Sequence, residues 1–353
     1  MTSPFLQGLD RGPANHRPLT PLGLLARAAE TFPERTAIIH GDLRTSYADF
    51  HARSRRLASA LAGAGIGRND VVSALLLNTP AMLECHYGPA RIGAVLNAIN
   101  TRLDAAGVAF ILDHAEAKIL IVDAELVPLA REALARAQVS PRIVVYRDPT
   151  VPETHAAAGA LEDYEAFLAA GDPGFAGPGP EDEWDAIALN YTSGTTGNPK
   201  GVVYHHRGAT LLATGNILHS AMRDAPVYLW TLPMFHCNGW CFPWTISAKA
   251  GTHVCLRAVR AAPIFEAIAE HGVTHMCGAP IVMSTLLAAP EAEKRPLPHA
   301  VEFLTAAAPP PEAVLAAMAE AGFRVTHVYG LTEVYGPAVI NEWKPEWDAL
   351  PPG

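Results

Sequence analysis

Tyr191-Thr-Ser-Gly-Thr-Thr-Gly-Asn-Pro-Lys200-Gly201 is the stretch on which the reading of this chain turns. Glycine lets the main chain approach a ligand and adopt positive φ. Successive N–H groups in such backbone curl into an anion-binding concavity. Thr192, Ser193, Thr195 and Thr196 add hydroxyl donors, and Lys200 adds a point charge suited to phosphate. The run is not the common phosphate-binding loop: Gly194 and Gly197 stand too close together, and Gly201 follows the lysine where Ser or Thr is needed. It does not match the dinucleotide fingerprint G-x-G-x-x-G either. A flexible polar linker is the bland alternative. The flanks argue against it, because residues 185–191 read as a strand, 202–204 resume apolar character, and a helical pattern begins near His206.

Outward from this loop, short β-branched runs alternate with amphipathic stretches. Residues 36–40, 71–77, 118–122, 142–146, 187–191, 253–256, 274–277 and 324–329 read as strands. Residues 21–31, 47–63, 81–92, 124–137, 206–222, 263–271 and 310–320 read as helices. That alternation predicts an α/β fold of mostly parallel sheets with helices on their faces. Gly41-Asp42 reads as a hairpin turn, and Pro128 sits in the first part of its helix, where it is tolerated. Residues 147–184, rich in Pro, Gly, Ala and acids, read as a surface excursion with little core-forming power.

Composition excludes several classes. The chain of 353 residues is 50% hydrophobic and 17% charged, a balance that supports one or two packed cores. Its formal charge of −9, with no basic stripe, argues against a nucleic-acid partner. No apolar run reaches the length of a membrane span. The first ten residues lack the basic start and apolar run of a secretory leader, so the expected compartment is the cytoplasm. Cys85, Cys237, Cys241, Cys255 and Cys277 are odd in number and scattered, which argues against a disulfide framework. His236, Cys237 and Cys241 lie close in sequence without a C-x-x-C pair, so small core residues near a pocket are the better reading than a metal site.

The loop also resembles the signature of the AMP-forming adenylating enzymes, the superfamily of acyl-CoA synthetases, luciferases and peptide-synthetase adenylation domains. Leu232-Pro-Met-Phe-His236-Cys-Asn-Gly-Trp240, Thr305-Ala-Ala-Ala-Pro309 and Tyr329-Gly-Leu-Thr-Glu333 resemble further motifs in the family's order, as do residues 45–49 and 94–104 upstream. The resemblance covers nearly the whole chain. It implies two interleaved, mostly parallel sheet lobes with flanking helices, one over about 70–225 and one joining about 20–65 to 228–345. It implies ATP, Mg²⁺ and CoA as partners of a small carboxylic acid. Thr192, Ser193, Gly194, Thr195, Thr196, Gly197 and Lys200 would grip the triphosphate. Ala307, Ala308 and Pro309 would form the adenine or acyl wall, in a segment where glycine is usual and a methyl narrows the slot. Tyr329 and Gly330 would border adenine, Thr332 would donate to the α-phosphate, and Glu333 would hold Mg²⁺, with Thr196 as a second oxygen donor. His236 would sit beside the substrate carboxylate, and Trp240 would line the acyl site. The P-M-F-H-C-N-G-W form is most similar to acyl-CoA synthetases for short to medium chains. Amino-acid adenylation would want an acid for the substrate ammonium, and the stretch after His236 has none.

The family pattern continues with a ribose-gripping aspartate, a hinge and a small lid domain carrying a catalytic lysine. None is recognisable among these residues, whose lysines are Lys118, Lys200, Lys249, Lys294 and Lys344. The expectation is therefore a partial adenylation domain lacking its lid, with impaired chemistry, exposed apolar surface and a tendency to form homo-oligomers. The alternative is a non-catalytic nucleotide or acyl-AMP binding fragment.

Overall fold

The computed structural model describes residues 3–192 and 199–349. After α1 (Leu22–Thr31), a hairpin pairs β1 (Thr36–His40) with β2 (Leu43–Ser46) through the turn at Gly41-Asp42, as the sequence predicts. Ser46 then starts α2 (Tyr47–Gly63). Its hydroxyl accepts from the Asp49 N–H at 3.1 Å and donates to the Asp49 carboxylate at 2.7 Å, satisfying the first turn of the helix.

The next elements are β3 (Val71–Leu75), α3 (Pro80–Cys85), β4 (Val95–Ala98), α4 (Ala105–His114), β5 (Ile119–Asp123) and α5 (Val127–Leu134), followed by β6 (Arg142–Tyr146), β7 (Glu162–Asp163), α6 (Tyr164–Ala169), β8 (Ala186–Tyr191) and β9 (Gly201–His205). Their seven strands form one sheet in the order β7-β6-β5-β3-β4-β8-β9, parallel except for β9. Every residue of Ile119–Asp123 is buried, as expected of a parallel strand covered on both faces.

The chain continues through α7 (His206–His219), β10 (Val227–Leu229), α8 (Phe242–Ala248), β11 (Thr252–Val254), α9 (Ala261–His271) and β12 (His275–Gly278). It then runs through α10 (Pro280–Leu287), β13 (Val301–Thr305), α11 (Glu312–Glu320), β14 (Phe323–Leu331) and β15 (Gly336–Ile340). These strands join β1 and β2 in an eight-stranded sheet, β15-β14-β13-β12-β10-β11-β1-β2. Its interior is parallel, and both edge strands are antiparallel to their neighbours. The sheet thus takes strands from both sides of the seven-stranded segment, which interleaves the two layers as the sequence predicts.

One apolar core runs between the sheets, uniting Ala74 and Ile121 with Tyr228, Trp230 and Leu304. A charged latch spans the same divide. Arg257, just beyond β11, donates to Asp123 at 2.8 and 3.0 Å, to Asp148 at 2.5 Å and to Glu125 at 2.8 Å. His40 Nε2 lies 2.7 Å from Asp148 Oδ2. Asp123 and Asp148 are fully buried, so each needs these partners.

Several expectations are corrected. The helix read over 81–92 stops at Cys85, and a separate 3-10 turn spans Pro89–Ile92, because Pro89 cannot donate within a continuous helix. The helix read over 124–137 begins as a 3-10 turn, Ala124–Leu126, and becomes α-helical at Val127, with Pro128 in its first turn. Residues 147–184 contribute more core than their composition suggests: α6 buries Tyr164, Phe167 and Leu168. Strands β4, β7, β10, β13 and β15 and helices α4, α6, α8 and α10 escape the sequence reading. They are short or apolar on all sides and lack a clean period. The five cysteines are free and buried.

Candidate active site

In sequence the glycine-rich stretch lies between β8 and β9, which pair as an antiparallel hairpin. Asn190 pairs with Val202 and Tyr191 with Gly201, and the Thr192 N–H donates to Lys200 O at 3.1 Å. Thr192 is half-buried and Lys200 exposed. Ser193, Gly194, Thr195, Thr196 and Gly197, all expected to meet phosphate, lie outside the described residues.

One face of this hairpin meets the segment that follows β14. Tyr204 Oη donates to Thr332 O at 2.7 Å, and the His205 N–H donates to Tyr335 Oη at 3.0 Å. The Tyr204 and Tyr335 rings stack at 3.9 Å between centroids, 22° from parallel. Gly208 makes room for the Tyr335 ring, since a Cβ there would fall 2.4 Å from its Cζ. The meeting lies beyond the carboxyl end of β14, the edge at which open α/β sheets place ligands. On the other face of the hairpin, His114, Lys118, Tyr191 and Val203 line a depression of about 270 Å³ that shares no residue with this grouping.

The third wall is the turn His236–Cys241. Cys237, Asn238, Gly239, Trp240 and Cys241 all have positive φ, between 41 and 62°. Left-handed backbone disfavours each L-residue by about 1–2 kcal/mol, so the surroundings must hold it. Asn216 Nδ2 donates to Trp240 O at 2.9 Å, and the Asn238 N–H donates to Phe235 O at 3.3 Å. Asn78, from the loop between β3 and α3, donates to Trp230 O and Leu232 O and accepts from the Met234 N–H, which fixes the segment leading into the turn. A strained turn held this firmly is a feature of functional sites. The turn directs Cys237 Sγ to 3.6 Å from Thr332 Oγ1 and 3.8 Å from His236 Nε2.

Thr332, Glu333, His236 and the hairpin that carries Lys200 therefore share one region. Burial raises the Cys237 thiol pKa; the Thr332 contact opposes this and the Glu333 charge adds to it. Burial also raises the Tyr204 hydroxyl, with Cys237, Cys241, Tyr335 and Glu333 adding to the effect. His236 keeps an exposed face, yet desolvation, aided by Arg102, lowers its pKa. Glu333 is exposed on the 3-10 turn Thr332–Val334. Tyr329 is 58% exposed near the end of β14, and Gly330 approaches Gly336 so closely that a Cβ would fall 1.7 Å from its carbonyl oxygen. Ala307, Ala308 and Pro309 are exposed beyond β13, with Ala307 at φ 77°. Trp240 is 5% exposed and packs on Gly336, so most of its ring belongs to the core. Phe242 stacks on Tyr228, and Trp244 donates to His86 O at 3.3 Å, which places both in the core as well.

Sequence reasoning missed Tyr204 and Tyr335, whereas Cys237, read as a small core residue near a pocket, is buried beside His236 and Thr332. The first two flank motifs that it did single out, and only their pairing across the fold gives them meaning. Glu333 has no ion-pair partner among the described residues, and no group of three His, Cys, Asp or Glu side chains forms there. This donor set fits Mg²⁺, which is commonly held by one or two carboxylates together with substrate phosphates.

Residues 25–353 match the family described as AMP-binding enzyme. The chain is 48% identical over 359 aligned residues to the peroxisomal acetate/butyrate–CoA ligase of Arabidopsis thaliana, covering 98% of this chain and 63% of that protein. It is 46% identical to an acetate–CoA ligase of Humulus lupulus, again covering 98% and 63%. The chain thus spans less than two thirds of these relatives. Among solved structures, the N-terminal domain of FACL13 from Mycobacterium tuberculosis superposes with a TM-score of 0.77 at 27% identity, covering 90% of this chain and 77% of that one.

Proposed function

Since the chain belongs to the AMP-binding enzyme family, we propose that it is the nucleotide- and acyl-binding part of an AMP-forming carboxylate–CoA ligase for short- to medium-chain acids. The carboxylate oxygen attacks the α-phosphorus of ATP, the bond to the β-phosphate oxygen breaks, and pyrophosphate leaves. The acyl-AMP product then yields its acyl group to the CoA sulfur, with AMP as leaving group and the thiol proton passing to solvent. This second step is proposed for the full-length protein.

The first step joins two anions, so positioning and fixed positive potential should supply most of the rate. Lys200 and Thr192, with Ser193, Gly194, Thr195, Thr196 and Gly197, would hold the phosphates that leave. Thr332 would donate to the α-phosphate. His236, neutral at pH 7 because its pKa is lowered, would orient the carboxylate without titrating at that pH. Tyr329 and Gly330, with Ala307, Ala308 and Pro309, would border adenine, and Trp240 would present an edge to the acyl chain. Glu333, aided by Thr196, would hold Mg²⁺. When bound, the metal offsets phosphate charge as pyrophosphate departs.

The observation that carries this reading is the Tyr204–Thr332 hydrogen bond, which joins the phosphate-loop hairpin to the turn bearing Glu333. The substrate class rests on the relatives, whose names specify acetate and butyrate. Among the described residues no helix is long and apolar enough to cross a membrane. Cytoplasmic placement is part of the proposal, and a fluorescent fusion of the full-length protein separates it from the peroxisomal pattern named for the Arabidopsis relative.

ATP–pyrophosphate exchange with butyrate tests the function. Lys200→Ala and Glu333→Gln are each expected to lower exchange by about 10²–10³-fold, the scale of losing one transition-state charge contact. Unchanged rates in both variants would remove these residues from the site. Nucleotide binding without exchange in the wild type would instead identify a binding module.

A further inference from the structure

Three basic side chains meet away from the candidate active site, beneath the loop over residues 171–179. Arg91, in the 3-10 turn Pro89–Ile92, is only 7% exposed, and its Nε and Nη2 are buried with no hydrogen-bond partner among the described residues. His51 and Arg55 stand one turn apart on α2, the helix packed against that 3-10 turn. His51 Nε2 is likewise buried and unpartnered. Arg55 is held from the loop side, with Nε donating to Phe175 O at 2.8 Å and Nη2 to Gly174 O. The loop is closed by the Gly179 N–H, which donates to Arg91 O at 2.9 Å. Gly177, at φ 71°, lies so near the same oxygen that a Cβ would stand 2.3 Å from it.

Most acids of the neighbouring elements are engaged elsewhere, and Asp172, in the loop itself, turns Oδ1 to the Gly174 N–H at 2.7 Å. Glu84 and Glu165 pair with Arg53, and Glu181 and Asp185 pair with Arg68. Tyr87, the polar group that favours the Arg91 charge, donates its own hydroxyl to Pro243 O and Ser247 Oγ. The imbalance is felt by the groups themselves. Burial, then the Arg91 and Arg55 charges, hold His51 down to about 4. Burial and Arg55 lower Arg91 to about 10. At neutral pH the buried Arg91 guanidinium therefore stands charged near the half-buried Arg55 and a neutral, half-buried imidazole. Burying an unpaired ion is strongly unfavourable. Water would satisfy the N–H groups and leave the charge uncompensated, whereas an anion does both.

We propose that Arg91, Arg55 and His51 form a binding site for a small monovalent inorganic anion of chloride size, with Arg91 Nε and Nη2 as its main donors. A phosphate, with four oxygens and higher charge, would need more donors than these shielded atoms offer. The anion ties α2, the 3-10 turn and the 171–179 loop together, and its role is structural.

Thermal unfolding at constant ionic strength tests this, comparing sodium chloride and sodium bromide with sodium gluconate, whose anion is much larger than a halide. A halide at about 100 times its Kd raises the Tm of a chain of this size by about 3–4 °C. In Arg91→Met the difference between halide and gluconate disappears. Equal wild-type Tm in all three salts overturns the site, as does an Arg91→Met variant that keeps the full halide shift. Should that variant fail to fold, crystals of the wild-type protein grown in bromide decide. An anomalous peak within hydrogen-bond reach of Arg91 supports the site, and no peak there overturns it.

Discussion

Ala307 shows how one methyl group can matter at this site. Its φ of 77° is a conformation that glycine adopts freely and alanine does not. The residue lies just past the end of β13, in the segment resembling the adenine wall. Relieving the left-handed strain gains about 1–2 kcal/mol, while glycine's extra freedom in the unfolded chain returns about 0.5–1 kcal/mol. Ala307→Gly is therefore expected to stabilise the fold by about 0.5–1 kcal/mol in urea unfolding; a loss of stability would show that the methyl is packed rather than strained. The left-handed run from Cys237 to Cys241 concentrates the same strain over its four non-glycine residues, and the Asn216 bond to Trp240 O helps to hold it.

At the scale of elements, the site is a joint between the β8–β9 hairpin and the turn after β14. Two hydroxyls and one ring stack make it, and a side chain at Gly208 would push them apart. Tyr335→Phe keeps the stack but deprives the half-buried His205 N–H of its acceptor. Leaving such a group unpaired costs about 1–3 kcal/mol. The turn that carries Thr332 and Glu333 should loosen with it. The expected outcome in exchange kinetics is a KM for Mg-ATP raised more than the maximal rate is lowered, with KM for the carboxylic acid nearly unchanged. A uniform fall in rate, with both KM values intact, would mean that the joint supports the fold alone.

For the whole molecule, the two sheets are coupled by charge as well as by apolar packing. Arg257→Met would leave Asp123 buried without its cation and Asp148 with His40 alone, which is expected to destabilise the protein by about 3–5 kcal/mol, as broken buried pairs do. Urea unfolding measures this, and a loss below 1 kcal/mol would demote the latch. Acid should act elsewhere. Burial, the leading cause in each case, lowers His86, His206 and His275 to about 4 and His253 to about 3. An unfolded histidine has a pKa near 6.5. Between these values the unfolded chain binds more protons, so stability is full above about pH 6.5 and falls as the pH drops toward 4. At pH 5 each of the four should remove on the order of 2 kcal/mol, enough together to rival the stability of a typical domain. Urea midpoints at pH 7, 6 and 5 should therefore decline steeply; a flat profile would show that these imidazoles are not sealed from water.

The chain by itself determined the alternation of β-branched and amphipathic segments, and with it an α/β fold of mostly parallel sheets; the interleaving of two lobes came from the family resemblance. Local rules suffice there: Gly41-Asp42 turns a hairpin, Ser46 starts a helix, and the run Tyr191–Gly201 demands a phosphate-loop reading. These features depend on residues a few positions apart. Tertiary structure alone decided that Tyr204 meets Thr332 and Tyr335, 128 and about 131 positions downstream, that Cys237 is turned toward Thr332 by left-handed backbone, and that Trp240 sits mostly in the core. It also decided that the residues around α6 are buried and that Arg91 Nε and Nη2 have no partner among the described residues. Periodicity is blind to such facts, because an unpaired group or a strained turn is defined by what the rest of the chain brings against it.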